Sequence, residues 1–323
     1  MAENDVNVIL RSDAEALIPE EVTKTIIEGA IANSATLSMF RKLPNMASNV
    51  MSMPVLDMLP LAYWVNGDVG QKQTTKMKWA KKYIRAEEIA VIVPIPEAVL
   101  NDARDNGYDI FGEVTPRVTE AFGKTIDDAV LFGVNKPDSW RDDIVTTATK
   151  AGNVVTSTGD LFIDIFGENG AIAKVEEDGF LPNGIISAVS LRSKLRGLRD
   201  TTQRPLFTGD LRDSSAPYAL DGNPINFLVN GAWDDEKATL IVGDMSQAVY
   251  SIRQDMTVKL LDQGVIQDAE GNIVYNLAQQ DMVALRFVMR LGWEIPNPIN
   301  ALNQDKETRC PFAVYKPEGT ASL

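Results

Sequence analysis

The sequence predicts an α+β fold, in which long antiparallel strands and a long helix flank a region of alternating short helices and strands. Three observations predict it. Residues 283–295 alternate, with Val283, Leu285, Phe287, Met289, Leu291, Trp293 and Ile295 on one parity. Ala284, Arg286, Val288, Arg290, Gly292 and Glu294 fall on the other. Strand side chains point to opposite faces with period two, so this is an apolar face backed by a mostly polar one. A helix would mix Arg286, Arg290 and Glu294 into the apolar set. Second, Val118, Ala121, Phe122, Thr125, Ala129 and Phe132 recur at three- and four-residue intervals, the period of an amphipathic helix. Third, short helical and extended patterns alternate between residues 160 and 250.

Taken in order, residues 1–18 are polar and irregular. Pro19, Glu20 and Glu21 then suit a helix start, with carboxylates at the positive end of the dipole. Val22, Ile26, Ile27 and Ala30 form its apolar stripe, and the flanking chain reads as a flexible arm. Val50–Met58 and Lys76–Pro96 read as extended, with Asn66-Gly67-Asp68-Val69-Gly70 as turn chemistry between them. Within this unit Lys72, Lys76, Lys78, Lys81, Lys82 and Arg85 have no acidic residue between them, a local reversal of sign in an acidic chain. A solvated hairpin face, a nucleic-acid surface using Trp79 and Tyr83 for stacking, and an arm lying on an acidic sister subunit are the three readings of this run.

The long helix is expected to start with Thr115 as cap and Pro116 in its first turn, and to end at Gly133. Its expected length is roughly 25 Å. Further on, 161–177 reads as one helix and Ile185–Val189 as a short buried strand. A basic helix follows, with Arg192, Lys194, Arg196 and Arg199. Pro224–Val229 and Ala238–Val242 read as strands. Met256–Leu261, a turn at Gln267–Asn272, Ile273–Leu277 and the 283–295 strand complete two or three long antiparallel strands. At ~3.3 Å per residue the last of these spans roughly 40 Å, far beyond the usual five or six residues. Compact enzymes seldom need such a strand, whereas a protein that reaches across an assembly does.

Composition narrows the function. A chain of 323 residues with 45% hydrophobic and 24% charged residues can bury a substantial core. It contains no histidine, which excludes Ser-His and Cys-His catalysis and histidine-ligated metals. Cys310 is the single cysteine, so there is neither an intrachain disulfide nor a cysteine-rich zinc site; it reads as a small apolar residue. Gly167-Glu168-Asn169-Gly170 leads to Lys174 at the wrong spacing for a phosphate loop. Asp138, Asp142 and Asp143, the acidic candidates for carboxylate chemistry or metal binding, lie in a Pro/Trp turn and read as solvated loop. We therefore assign no catalytic, cofactor-binding or metal-binding residues and expect no cofactor and no enzyme. There is no apolar run long enough for a transmembrane helix and no secretory leader at Met1, so the chain is expected to fold in a cytoplasm without a membrane partner. A net charge of −14 opposes nonspecific binding to phosphates.

Gly243-Asp244-Met245-Ser246-Gln247-Ala248-Val249-Tyr250, then Ile252-Arg253-Gln254-Asp255, then Gln280-Asp281-Met282-Val283-Ala284-Leu285-Arg286 and Arg290 resemble the C-terminal half of tailed-bacteriophage major capsid proteins. The order of elements extends the resemblance over nearly the whole chain. It implies an N-terminal arm (1–45), an extended hairpin called the E-loop (46–96), a peripheral domain with a long spine helix (97–156 and 251–292) and an axial domain (157–250 and 293–323). It also implies self-assembly as hexamers and pentamers into an icosahedral virion shell. That shell would enclose double-stranded DNA without specific binding and be assembled in the bacterial cytoplasm. Scaffold, portal and decoration proteins are further partners by the same resemblance. The segment of about a hundred residues that precedes the arm in some relatives is expected to be absent. Some shells of this family are chained covalently through a hairpin lysine and a neighbour's asparagine. Lys72, Lys76 and Lys78 with Asn272 or Asn276 lie in suitable regions, but no residue-by-residue match follows. The alternatives are an encapsulin-type compartment shell, which shares the fold, and a carboxylate-dependent soluble enzyme.

Overall fold

The computed structural model describes residues 33–65, 71–72, 74–105, 110–199, 219–268 and 270–317. The helix expected from Pro19, with its Val22, Ile26, Ile27 and Ala30 stripe, and the turn expected at 66–70 lie outside them. The first element, α1 (Ala35–Met39), is capped by Ser34, whose hydroxyl accepts the Leu37 N–H. After β1 (Arg41–Lys42), strands β2 (Val50–Met58) and β3 (Lys78–Arg85) pair antiparallel from Val50↔Arg85 to Met58↔Lys78. The stretch expected as one extended segment to Pro96 is broken at Ala86. β4 (Glu87–Pro96) leaves the hairpin and pairs elsewhere, because its alternate apolar residues Ile89, Val91, Val93 and Ile95 pack on the main core.

α2 (Glu97–Asp105) leads to α3 (Ile110–Phe132), the long helix. It starts earlier than Thr115 and carries Pro116 inside. Proline removes one backbone donor and clashes with the preceding turn. Here Ile110 and Val114, ahead of the proline, pack on the core and hold the extra turns in place. Gly133 ends the helix as expected, with φ of 69°, a left-handed conformation that glycine adopts without strain. The buried line differs from the expected stripe. Val118, Phe122, Ile126 and Val130 are buried at four-residue spacing, whereas Ala121 and Thr125 face solvent.

The loop after α3 holds a helix the sequence reading missed, α4 (Ile144–Ala151). Asp143 is not solvated loop. It is 5% exposed and caps α4, accepting the Thr146 N–H at 2.9 Å. Next come β5 (Val154–Thr156), α5 (Leu161–Phe166) and α6 (Ala171–Glu177). The single helix expected over 161–177 is therefore two, broken at Gly167 and Gly170. A Cβ on Gly167 would lie 2.5 Å from the Ile163 carbonyl oxygen, so the chain turns where only glycine fits. β6 (Gly184–Ala188), α7 (Ser190–Gly197), β7 (Ala219–Leu220), β8 (Asn223–Leu228) and β9 (Leu240–Gly243) follow. The long strand β10 (Val249–Leu261), the hairpin β11 (Val265–Gln267) and β12 (Ile273–Asn276), the long strand β13 (Met282–Glu294) and β14 (Phe312–Lys316) complete the chain.

Two sheets organise these elements. One has the order β1-β10-β13-β4, and the other β5-β14-β9-β6-β8-β7. β13 is an inner strand, antiparallel to β10 from Glu294↔Val249 to Ala284↔Leu261 and to β4 from Met282↔Pro96 to Leu291↔Glu87. All its odd-numbered residues are buried, as the alternation requires, and Arg286 and Arg290 on the other face are half-buried. Ala284, Val288 and Gly292 on that second face are buried too. A Cβ on Gly292 would lie 2.4 Å from the Arg85 carbonyl oxygen, so the strand accepts the base of the β2–β3 hairpin there. One continuous core joins both sheets. Phe287, Met289, Leu291 and Trp293 of β13 belong to it with Phe122, Ile126 and Val130 of α3 and with Ile186, Ile241 and Phe312 of the six-stranded sheet. On the opposite face of that sheet, α5, α6 and α7 close a second cluster over Ile185, Leu240 and Val242.

Candidate functional site

The β2–β3 hairpin is the feature least accounted for by the fold of one subunit. Its strands have opposite surroundings on their two faces. On the inner face Ile84 is fully buried near the base, with Met46 and Val249 and with the half-buried Met51 and Met53. The outer face carries Trp79, Lys81, Tyr83 and Arg85, all exposed. Beyond the paired residues Leu61 is 74% and Trp64 98% exposed, and Tyr63 and Val65 are exposed as well. Residues of these types bury large area and dominate interfaces, so a contiguous exposed set of them marks a contact surface. A two-stranded hairpin is also marginally stable by itself, so the distal part needs a partner surface.

The cations sort by face. Lys78 forms an ion pair with Asp57 across the hairpin at 3.1 Å. Lys82, on the inner face, lines a cleft of about 290 Å³ between the hairpin and the body, with Asp57, Arg141, Asp142, Lys150 and Arg309. Lys72, Lys76, Lys81 and Arg85 form no ion pair among the described residues, and all are exposed. The basic run is therefore partly neutralised internally and leaves four outward cations. The sequence showed the run; which lysines point out depends on how the base packs on β13, a contact between distant residues.

Of the carboxylates considered for catalysis, Asp138 is exposed in the turn after α3, whereas Asp142 and Asp143 have structural partners. Asp142 pairs with Lys150 at 2.5 Å, which holds its carboxyl below the usual range. Asp127, whose buried role the sequence reading did not foresee, is fully buried in α3. It accepts from the Ser34 hydroxyl at 2.7 Å, the Thr36 hydroxyl at 2.6 Å, the Ala35 and Thr36 N–H groups at 3.1 Å and the Asn230 amide at 2.8 Å. Burial pushes its pKa up, and those hydrogen bonds oppose the shift. The arrangement pins the start of α1, the long helix and the loop after β8 together. Gly123 allows the close approach, since a Cβ there would lie 3.0 Å from the Asn33 backbone. No cluster of acidic or sulfur ligands suited to a metal occurs among the described residues. Among them also, no helix is long and apolar enough to cross a membrane.

The residues suited to covalent linkage belong to two different hairpin units, Lys72, Lys76 and Lys78 to the β2–β3 unit and Asn272 and Asn276 to the β11–β12 unit. Asn272 bonds to Asp268 and Asn276 to Gln279 on the β11–β12 hairpin, while Lys76 and Lys78 belong to the β2–β3 unit. No described hydrogen bond joins the two sets.

Known proteins share this architecture. A solved chain from Microbacterium phage Oxtober96 is 36% identical and superposes with a TM-score of 0.76, covering 96% of this chain and 99% of that one. One from Mycobacterium phage Cain is 34% identical with a TM-score of 0.75, covering 97% of this chain and all of that one. The capsid of an empty GTA particle, at 16% identity, 89% and 90% coverage and a TM-score of 0.61, shares the fold. Among curated proteins, the major capsid protein of Staphylococcus phage 80alpha is 29% identical over 299 residues, 90% of this chain and 86% of that protein. The phage capsid family model matches residues 14–302. With the long sheet, the long helix and the projecting hairpin all in place, the chain belongs to the phage capsid family.

Proposed function

We propose that this chain, a shell protein by family, is the major capsid protein that builds an icosahedral head from hexamers and pentamers of itself around double-stranded DNA. The observation that carries the reading is the β2–β3 hairpin, whose apolar end and outward cations no described part of the same subunit covers. A neighbouring copy with an acidic surface would bury both. The apolar residues would supply most of the affinity, at roughly 25 cal/mol per Å² buried. The cations would set orientation and exclude wrong contacts. Many moderate contacts closed by symmetry then replace any single tight one.

The division into an arm (1–45), a hairpin, a discontinuous peripheral domain and a discontinuous axial domain (157–250 and 293–323) belongs to the same proposal. The pairing of β4 with β13 favours ending the hairpin at Ala86 and counting 87–96 with the peripheral part. We also infer a structural rather than enzymatic role, assembly in the host cytoplasm, and scaffold, portal and decoration proteins as further partners. The net charge of −14 supports enclosure of DNA without tight adhesion.

The test is assembly of the purified chain, alone and with its scaffold protein, followed by sedimentation and electron microscopy. Closed shells or capsomers are expected. A monodisperse monomer at every salt concentration, with or without scaffold, contradicts the proposal.

A further inference from the structure

We propose that the crossover from β13 to β14, residues 296–310, is a stiff strap that ties the β2–β3 hairpin to the six-stranded sheet, with Asp178 as its anchor. The strap acts within one subunit, whether or not copies assemble.

The body grips the hairpin at two heights. At the base, where Val50 pairs with Arg85, the Trp140 indole N–H donates to the Arg85 carbonyl at 3.1 Å. Farther out along β2, roughly 20 Å up the strand, the Ile299 N–H of the crossover donates to the Leu56 carbonyl at 3.1 Å. The cleft of about 290 Å³ lies between these parts, with Asp57 and Lys82 on the hairpin side and Asn297 and Arg309 on the crossover side. Such a space leaves the hairpin room to tilt unless the crossover holds it.

A connection fixes position only if it is itself stiff, and this one is cross-braced. Arg309 is buried. Its Nε donates to the Asn297 carboxamide oxygen at 3.0 Å, its Nη2 to the Asn297 carbonyl at 3.0 Å and its Nη1 to the Asn303 carbonyl at 2.9 Å. The Asn297 amide returns a bond to the Arg309 carbonyl at 2.8 Å. A buried cation is costly without such partners, so the brace is hard to open. Asn297 has φ of 48°, a left-handed conformation that asparagine adopts more readily than most residues. The two ends of the crossover are thereby tied together, with Ile299 held between them.

The brace is fastened to the six-stranded sheet at Asp178, buried in the turn after α6. Its carboxylate accepts from the Asn303 amide at 2.7 Å and the Cys310 N–H at 2.8 Å, and from the Asn153 amide, beside β5, at 2.7 Å. Its carbonyl accepts from the Asn300 amide at 2.6 Å. Gly179 makes that approach possible, since a Cβ there would lie 3.0 Å from the Asn300 carboxamide. Asn300 bonds to the anchor and Ile299 bonds to the hairpin. These residues are adjacent, so one peptide unit joins the two contacts, and a shift at Asp178 reaches Leu56 with little slack.

The experiment follows hydrogen exchange of the full chain, with sedimentation matching the assembly state of the samples compared. Asn300→Ala and Asn303→Ala each loosen the anchor from half-buried positions, and Ile299→Pro removes the donor to the hairpin. Circular dichroism establishes the fold of each. Every one of these variants should raise exchange of hairpin amides 53–58 and 78–82 by about fivefold, the effect of losing one hydrogen bond. Combining Asn303→Ala with Ile299→Pro should raise it no further than Ile299→Pro alone, because both changes break the same connection. Unchanged hairpin exchange in the folded variants overturns the proposal, as do effects that multiply in the double variant. If the asparagine variants misfold, wild type in low denaturant decides. The hairpin amides should then exchange in the same opening step as residues 300–308. A hairpin that stays protected while those residues open overturns the strap.

Discussion

Phe287 and Arg286 are neighbours on β13 with opposite surroundings. Phe287 is buried in the core that joins the two sheets, opposite Val258 and Val91 on the flanking strands. A carboxylate there would have no partner, and burying an unpaired charge costs several kcal/mol after relaxation, on the order of a domain's whole stability. Phe287→Asp should abolish soluble expression or lower the melting midpoint drastically. Arg286 is half-buried, and its Nε has no hydrogen-bond partner. Truncation therefore removes an unsatisfied donor together with some aliphatic packing. Arg286→Ala should leave the fold intact, with a change within roughly 1 kcal/mol. Soluble yield and thermal midpoint of both variants check this, and equal tolerance would contradict the facing of β13. Cys310 gives a second test. It is fully buried, and burial pushes its thiol pKa up to about 12. The thiolate is the nucleophile, so at neutral pH the folded protein offers almost none. A disulfide reagent should label Cys310 promptly in denaturant and only at the rate of opening in the native subunit. Fast native labelling would contradict the buried placement.

Among the elements, the β2–β3 hairpin is the one whose outward residues are proposed to serve a second molecule. Reversing Lys76, Lys81 and Arg85 to glutamate should block assembly while leaving the subunit folded. These side chains are exposed and form no ion pair among the described residues, and substitutions at such positions usually change stability by within ~0.5 kcal/mol. At a complementary interface the same reversal sets like charges together and costs several kcal/mol. Lys78 and Lys82 are left out because Lys78 pairs with Asp57 and Lys82 lines the cleft at the hairpin base, so their loss would confuse folding with assembly. Circular dichroism and particle counts separate the two effects. Normal shells from the triple variant would mean that the charges are merely solvated.

For the whole molecule, what could be read in advance follows from how local each determinant is. β13 was legible because alternation over its whole length has one structural meaning, and the basic hairpin because six cations without a carboxylate stand out in an acidic chain. The break between α5 and α6 was written in Gly167 and Gly170, but its necessity lies in the Ile163 and Ile165 carbonyls that a Cβ would strike. β14 was missed because Phe312-Ala313-Val314-Tyr315 is a short apolar run whose period is ambiguous. Asp127 looked like an ordinary helix residue, since its partners Ser34, Thr36 and Asn230 are about a hundred residues away in either direction. The same non-locality separates subunit from shell: one copy shows a surface, and only other copies give it something to cover. Trypsin reads that difference directly, because its cleavage sites coincide with the outward cations. Free subunits should be cut within the hairpin, at Lys72, Lys76, Lys81 and Arg85, since an exposed strand pair without support opens readily. Assembled particles should resist at those bonds, because a neighbour covers the outer face and raises the free energy of local opening. The ratio of hairpin cleavage rates in free and assembled material, measured by mass spectrometry of the fragments, is the quantity to compare. Equal rates would mean that the hairpin projects freely from the shell, and the assembly contact would then have to be sought on other surfaces.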